Sequence, residues 1–337
     1  MLKVIDLFAG CGGLSLGLQK AGMKVLAGLD NWPESLEVYK LNFKHKAFEI
    51  DLSDVSEASK ILSEFEIDVL AGGPPCQDFS SAGKRDLSGG RADLTYSFAD
   101  IVIEKNPKFF IMENVERIRK SHILFDIIDQ FATHGYGLTA VVLDASYCGV
   151  PQARKRFFLI GAKGEEHNFL LGNLQKSMSK KPMSMRDYFG DSLGLEYYYR
   201  HPRNYNRRAI YSIDEPSATI RGVNRPTPPG YKLHPNDPKS VKLKDVRPLS
   251  TFERSLVQTF PKDFIWIGSK TKQEQMIGNA VPVALAEFVG KTLVDFSKGK
   301  RFAVKEQLEL FSVNKILIPT SSLDLGITTM ISYSPKK

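Results

Sequence analysis

Cysteine is scarce in this chain and cannot pair off. Three thiols in 337 residues, Cys11, Cys76 and Cys148, are odd in number and widely spaced, which excludes a disulfide framework and a zinc-ligand cluster and points to a reducing, cytoplasmic setting. No uninterrupted apolar run reaches the ~18 residues that cross a bilayer, so no membrane partner is expected. The N-terminus Met1-Leu2-Lys3-Val4-Ile5-Asp6 lacks the charged-then-apolar layout of a secretion signal. Histidine is sparse as well: six residues, none at ligand spacing, give no reason to expect a metal. Neither an internal repeat nor a low-complexity tract is present, which excludes a repeat architecture.

What is present is a core-forming chain with unevenly distributed charge. At 337 residues it is long enough for more than one domain. Net charge is +8, from 46 basic and 38 acidic residues, and between Lys163 and Arg247 sixteen basic residues face nine acidic ones. Nearly all the excess therefore lies in one quarter of the chain. That quarter also holds eight of the 18 prolines and the run Tyr197-Tyr198-Tyr199. Charge alone would fit a solvated, loop-rich insertion; charge, aromatics and turn residues together point to nucleic acid.

Before this segment, short apolar runs alternate with amphipathic stretches. Residues 4–8, 25–29, 69–71, 109–111 and 157–160 read as buried strands, and 14–21, 34–41, 55–65, 94–104 and 123–131 have helical spacing. Alternation of this kind predicts an α/β fold with a mostly parallel sheet covered on both faces. After the basic segment, Ser250 with Glu253 three residues on forms a capping-box signature, and 283–296 is a strongly apolar helix.

Five short motifs carry chemistry. Asp6-Leu7-Phe8-Ala9-Gly10-Cys11-Gly12-Gly13 is a strand running into a glycine turn and a helix, a place where a ligand can approach bare backbone at a positive helix end. The dinucleotide fingerprint would need glycine where Ser15 stands, which weighs against a nicotinamide enzyme. Asp30 and Asp51 sit at successive strand ends; each reads as a nucleoside ligand or as a turn cap. In Gly72-Gly73-Pro74-Pro75-Cys76-Gln77, prolines fix the approach to a lone thiol and glycines leave space beside it, which suits a nucleophile better than core filler. Glu113, in Glu113-Asn114-Val115, ends an apolar strand, a costly place for an acid without work or partner. Gln152-Ala153-Arg154-Lys155-Arg156 puts two arginines on one face of an extended segment. Ile277-Gly278-Asn279-Ala280-Val281-Pro282 reads as a turn opening the last helix.

In order and over nearly the whole chain up to about Phe296, these motifs resemble the DNA (cytosine-5) methyltransferase family of bacterial restriction-modification systems. The resemblance implies a Rossmann-like S-adenosylmethionine-dependent methyltransferase domain with a small, irregular target recognition domain. It implies boundaries at 1–165 (catalytic and cofactor-binding), 166–247 (target recognition), 248–297 (helices completing the catalytic domain) and 298–337 (an extension without assigned role). It implies that Cys76 attacks carbon 6 of a flipped-out cytosine, that Glu113 holds ring nitrogen 3 and the exocyclic amine, and that Arg156, with Arg154, holds the exocyclic oxygen. Phe8, Gly10, Gly13, Asp30, Asp51, Leu94 and Asn279 match positions around S-adenosylmethionine. Asp30 is followed by Asn31 and then Trp32, which leaves the adenine-packing residue open. Residues 80–91 read as a lid with Arg91 on a phosphate. Thr219 matches a threonine-centred recognition loop, in which Arg221 or Arg225 reads a guanine or binds phosphate. Double-stranded DNA is the implied partner, with a monomeric enzyme and a separate cognate restriction endonuclease. An RNA cytosine-5 methyltransferase and a catalytically silent DNA-binding relative are the alternatives.

Overall fold

The computed structural model describes residues 1–75, 94–204 and 206–304. Cys76, Arg91 and the expected lid lie outside the described residues. The first half of the chain forms β1 (Lys3–Leu7), α1 (Gly13–Lys20), β2 (Lys24–Asp30), α2 (Pro33–Asn42), β3 (Lys46–Glu49), α3 (Val55–Leu62), β4 (Val69–Gly72), α4 (Leu94–Lys105), β5 (Phe109–Val115), α5 (His122–Thr133), β6 (Tyr136–Asp144), β7 (Gln152–Ala153) and β8 (Lys155–Lys163). Seven of these strands make one sheet in the order β3-β2-β1-β4-β5-β8-β6. All neighbours are parallel except that β8 runs antiparallel to both β5 and β6.

Two apolar layers flank the sheet. One face packs on α3, α4 and α5 through Leu62, Phe98, Val102, Ile127 and Phe131. The other packs on α1 and on the last helix, α10 (Val283–Ser297), through Leu14, Leu18, Leu285 and Val289. Strands buried on both faces read as continuous apolar runs, which is why β1, β2, β4, β5 and β8 are visible in the sequence. Two strands escape that reading. β3 is short, with partly exposed side chains, and Gly135 and Gly137 break up the approach to β6 although its residues are buried.

The basic segment contains α6 (Leu171–Ser177), α7 (Met185–Phe189), β9 (Tyr197–Tyr199), β10 (Ile210–Ser212), β11 (Ser217–Ala218) and β12 (Arg247–Pro248). A three-stranded sheet, β10-β9-β12, and a small core of Met185, Leu193, Tyr198, Ile213 and Leu249 hold it together. β11 pairs with β7, stitching this segment to the main body. The chain then returns through α8 (Thr251–Val257), α9 (Lys270–Asn279) and α10 (Val283–Ser297). The expected capping box at Ser250 and Glu253 is formed, an arrangement worth about 1 kcal/mol.

One sequence expectation changes here. Ile277, Gly278 and Asn279 are the last turn of α9 rather than part of a turn, because the polar run Lys270–Gln275 hides a helix whose buried side is only Glu274, Met276, Ile277 and Gly278. The stretch Lys270–Ser297 is long and apolar enough by composition to cross a membrane, but 67% of its apolar window is buried in the protein, as in a core helix. Beyond α10, Arg301 forms a two-pronged ion pair with Glu165, and Asn173 binds the backbone of Lys300 and Phe302.

Candidate active site

The order of the sheet reverses between β1 and β4, so the turns leaving their carboxyl ends splay apart and open a crevice. A cavity of about 450 Å³ lies there. On one side it is walled by the glycine turn and by Asp30, Asn31, Trp32, Asp51 and Leu94; on the other by Gly73, Pro74, Pro75, Glu113, Asn114, Arg154 and Arg156; and at its base by Gly278, Asn279 and Ala280. Sequence motifs as far apart as residues 8 and 281 thus share one cavity.

The glycine turn is shaped by backbone conformation and a half-buried carboxylate. Phe8, Gly10 and Gly12 all have positive φ, 61°, 55° and 95°, and a non-glycine residue held there stores strain of the kind found at ligand sites. Asp30 Oδ2 accepts from the Gly10 amide and Oδ1 from the Trp32 amide, both at 2.8 Å. The turn-cap reading of Asp30 is therefore realised, while its carboxylate also lines the cavity. Asp51 accepts from the Ser53 amide at 3.0 Å and lines the same cavity.

Beneath the turn, Ser15 donates to Asp6 Oδ2 at 2.6 Å, and its oxygen lies 2.8 Å from the Tyr39 hydroxyl, which is 2.6 Å from His45 Nε2. Asp6 is fully buried, and its Oδ1 has no partner among the described residues. Burial pushes this carboxyl up to about 7. A buried acid with a raised pKa favours the folded state while it is protonated and loses that contribution as pH rises through its folded value. Asp6→Asn keeps the acceptor for Ser15 and removes the charge. The wild type is therefore expected to lose stability relative to Asp6→Asn as pH rises from about 4 to 8, by roughly 4 kcal/mol, read from urea unfolding across that range.

On the opposite wall, Glu113 and Arg156 are diagonal neighbours on β5 and β8, because Glu113 pairs with Phe158 and Val115 with Arg156. Arg156 Nε meets Glu113 Oε1 at 2.9 Å, and both side chains are largely buried. Burial raises the Glu113 pKa, and the two arginines oppose that rise. A methyl group built on Gly73 would stand 3.1 Å from Glu113 Oε2, so the glycine preserves room beside the carboxylate. Asn114 Nδ2 donates to Pro74 O at 3.0 Å, fixing the two-proline turn that leads to position 76.

Arg154 behaves differently from Arg156. It is 1% exposed and donates to Ile220 O, Gly278 O and Ala280 O at 2.8, 3.0 and 3.2 Å. Its Nε has no partner among the described residues. The recognition-loop residues lie away from the cavity. Thr219 donates to Ala153 O at 2.9 Å, Arg221 reaches His201 O, and Arg225 is exposed. Cys11 and Cys148 are buried and free, and burial pushes the Cys11 thiol up to about 12 and that of Cys148 further. Sequence reasoning missed Gln152, Arg254, Gln258 and Glu274, buried polar residues that meet around Ile220 and Ala280. Gln152 lay within a recognised motif; the others sit in ordinary helical sequence with no signal.

A parallel sheet with one reversed strand, and a cleft at its topological switch point, define an α/β protein of the Rossmann-like class. The family model described as C-5 cytosine-specific DNA methylase matches residues 2–295. Type II methyltransferase M.HindV of Haemophilus influenzae is 61% identical over 297 residues, covering 88% of this chain and 98% of that protein. Type II methyltransferase M.HgiDI of Herpetosiphon aurantiacus is 53% identical over 292 residues, covering 87% and 94%. In fold, the chain is similar to the S. pombe Dnmt2 methyltransferase, with a TM-score of 0.67 at 17% identity, covering 89% of this chain and all of that one. The chain belongs to the C-5 cytosine-specific DNA methylase family and is a DNA (cytosine-5-)-methyltransferase. Enzymes of this family use S-adenosylmethionine in general.

Proposed function

We propose that Cys76, Glu113 and Arg156 are the catalytic residues, and that the glycine-turn side of the cleft holds S-adenosylmethionine. The observation that carries this reading is the buried Glu113 carboxylate, gripped by Arg156 at 2.9 Å in the same cavity as the glycine turn. The cavity suits the cofactor, with a left-handed glycine at position 10 that keeps side-chain bulk off the wall and carboxylates at Asp30 and Asp51 for a ribose and an adenine amine. Phe8, Gly13, Leu94 and Asn279 complete that wall, and Asn31 and Trp32 both reach it. When bound, the cofactor supplies the electrophilic methyl group.

The target cytosine has to leave the helix stack, since none of these groups can reach a paired base. The Cys76 thiolate forms a bond to carbon 6, and the carbon 5–carbon 6 double-bond electrons move to carbon 5, which takes the methyl group. A base then removes the carbon 5 proton; the freed electron pair rebuilds the double bond and expels the thiolate. Burial keeps a proton on Glu113 to higher pH than on a free carboxyl, which suits it to donate to ring nitrogen 3 while its other oxygen accepts from the amine. Arg156 holds both Glu113 and the exocyclic oxygen. Arg154, committed to three carbonyls, acts through the loops it fixes.

Residues 166–247 serve as the target recognition domain on double-stranded DNA, between a catalytic part at 1–165 and its completing helices at 248–297. The enzyme works in the cytoplasm as a monomer, alongside a separate restriction endonuclease. Incubation with labelled S-adenosylmethionine and either duplex DNA or transfer RNA tests the substrate class; label appearing as 5-methylcytosine in RNA alone would contradict it. Within the recognition loop, exposed Arg225 is better placed to read a base than Arg221, which is turned to His201 O. Arg225→Ala is expected to lower discrimination at one base pair by roughly 10- to 100-fold, measured on duplexes altered one pair at a time. Equal weakening on every sequence would make it a phosphate contact.

A further inference from the structure

The recognition loop, residues 219–225, is held along its backbone by buried polar groups of the catalytic body. Ile220 N donates to Gln152 Oε1 at 2.8 Å, and Ile220 O accepts from Arg154 Nη1 at 2.8 Å. The next carbonyl, Arg221 O, accepts from Arg254 on α8. Asn224 Nδ2 then donates to Leu249 O at 2.8 Å and to Glu274 Oε1 on α9 at 3.1 Å. Arg254 and Glu274, each 4% exposed, form an ion pair with one another. Glu274 Oε1 also accepts from Thr251 at 2.8 Å, tying α8 to α9.

The loop lies on α9 without a gap. A methyl group built on Gly278 would stand 2.2 Å from Gly222 N and 2.3 Å from the Arg221 carbonyl carbon. One residue further on, Asn279 lines the cofactor cleft. While the backbone is fixed, the tip side chains Val223 and Arg225 are exposed.

We infer that the Arg254–Glu274 pair is a positioning device that fixes the recognition loop to α8 and α9 and thereby sets the accuracy of target-site selection. The inference rests on the reading of this segment as the target recognition domain. A buried ion pair is a poor source of stability, because desolvation offsets most of its attraction. Here each partner has a second, directional task on the loop: Arg254 holds the Arg221 carbonyl, and Glu274 holds the Asn224 amide. Base discrimination requires a donor fork held in place; a loop that can shift accommodates wrong bases at little cost. The pair touches neither Glu113 nor the glycine turn, so loosening it leaves the chemistry in place and degrades the choice of site.

Full-length wild type, Glu274→Gln, Asn224→Ala and the double variant are expressed in cells, and the cellular DNA is sequenced for 5-methylcytosine at single-base level. Glu274→Gln keeps shape and an acceptor oxygen while removing the charge that orients Arg254; Asn224→Ala removes the loop's bonds to Glu274 and Leu249 and carries the test if Glu274→Gln does not fold. Wild-type methylation is expected to fall on one motif. Each single variant is expected to raise the share of methylation outside that motif by about tenfold, with S-adenosylmethionine affinity of the purified protein within about twofold of wild type. The double variant is expected to relax the choice of site at least as far as either single, because the two changes release the loop at different points. An unchanged motif in folded variants, a loss of methylation with no new sites, or a double variant closer to wild type than the singles would overturn the inference. A wild type that leaves no 5-methylcytosine would instead overturn the reading of the enzyme on which it rests.

Discussion

The Cys76→Ala protein is expected to bind duplex DNA and S-adenosylmethionine as the wild type does, and to transfer methyl groups at least ~10⁴-fold more slowly, a loss of about 5–6 kcal/mol of barrier lowering. Carbon 5 of cytosine is not nucleophilic until something adds at carbon 6, so the thiol contributes to the transition state far more than to binding. No other sulfur can substitute. Cys11 and Cys148 are buried, and burial holds the protons on both thiols. Single-turnover methylation and gel-shift binding measured on the same preparation separate the two effects. Loss of binding in parallel with rate would mean that position 76 supports structure and not chemistry.

Arg156→Ala is expected to reduce kcat by ~10²–10³-fold with little change in S-adenosylmethionine affinity. It removes a donor to the base and leaves Glu113 buried without its cation. Burial already raises the Glu113 pKa, and Arg156 is the first of the groups opposing that rise. In the variant the pKa climbs further. An acid whose folded pKa lies above its unfolded value favours folding at low pH and loses that advantage as pH rises. The stability gap between Arg156→Ala and wild type should therefore widen from pH 5 to pH 8, reaching about 3 kcal/mol. Urea unfolding at both pH values checks this, and a gap independent of pH would show that the two groups are not coupled. Arg154→Ala should separate from it by damaging DNA selectivity and stability together, since its donors serve the carbonyls of Ile220, Gly278 and Ala280.

Much of this was legible in the order of residues. Strands such as β1 and β5 are buried on both faces and announce themselves as apolar runs, and the turns that follow β1 and β4, with the end of β5, carry the glycines, prolines and acid that wall the cleft. Less legible was anything set by register or by distance along the chain. Arg154 and Arg156 share a face in the sequence pattern, yet one engages Glu113 and the other three backbone carbonyls; the difference arises where β7, the recognition loop and α9 converge. α9 was hidden because its exposed turns are polar and only its last residues are buried. Arg254 and Glu274 gave no sign at all, since a charged residue on a helix is ordinary until the fold buries it.

The central claim is a transient bond between the sulfur of Cys76 and a cytosine ring. A duplex carrying the target site with 5-fluorocytosine at the methylated position lacks the carbon 5 proton whose removal releases the enzyme. Incubated with this duplex and S-adenosylmethionine, the protein should accumulate as a complex that survives denaturing electrophoresis, with the added mass mapping to the peptide containing residue 76. A protein that methylates ordinary DNA yet forms no such complex, or one whose adduct maps elsewhere, would contradict the account.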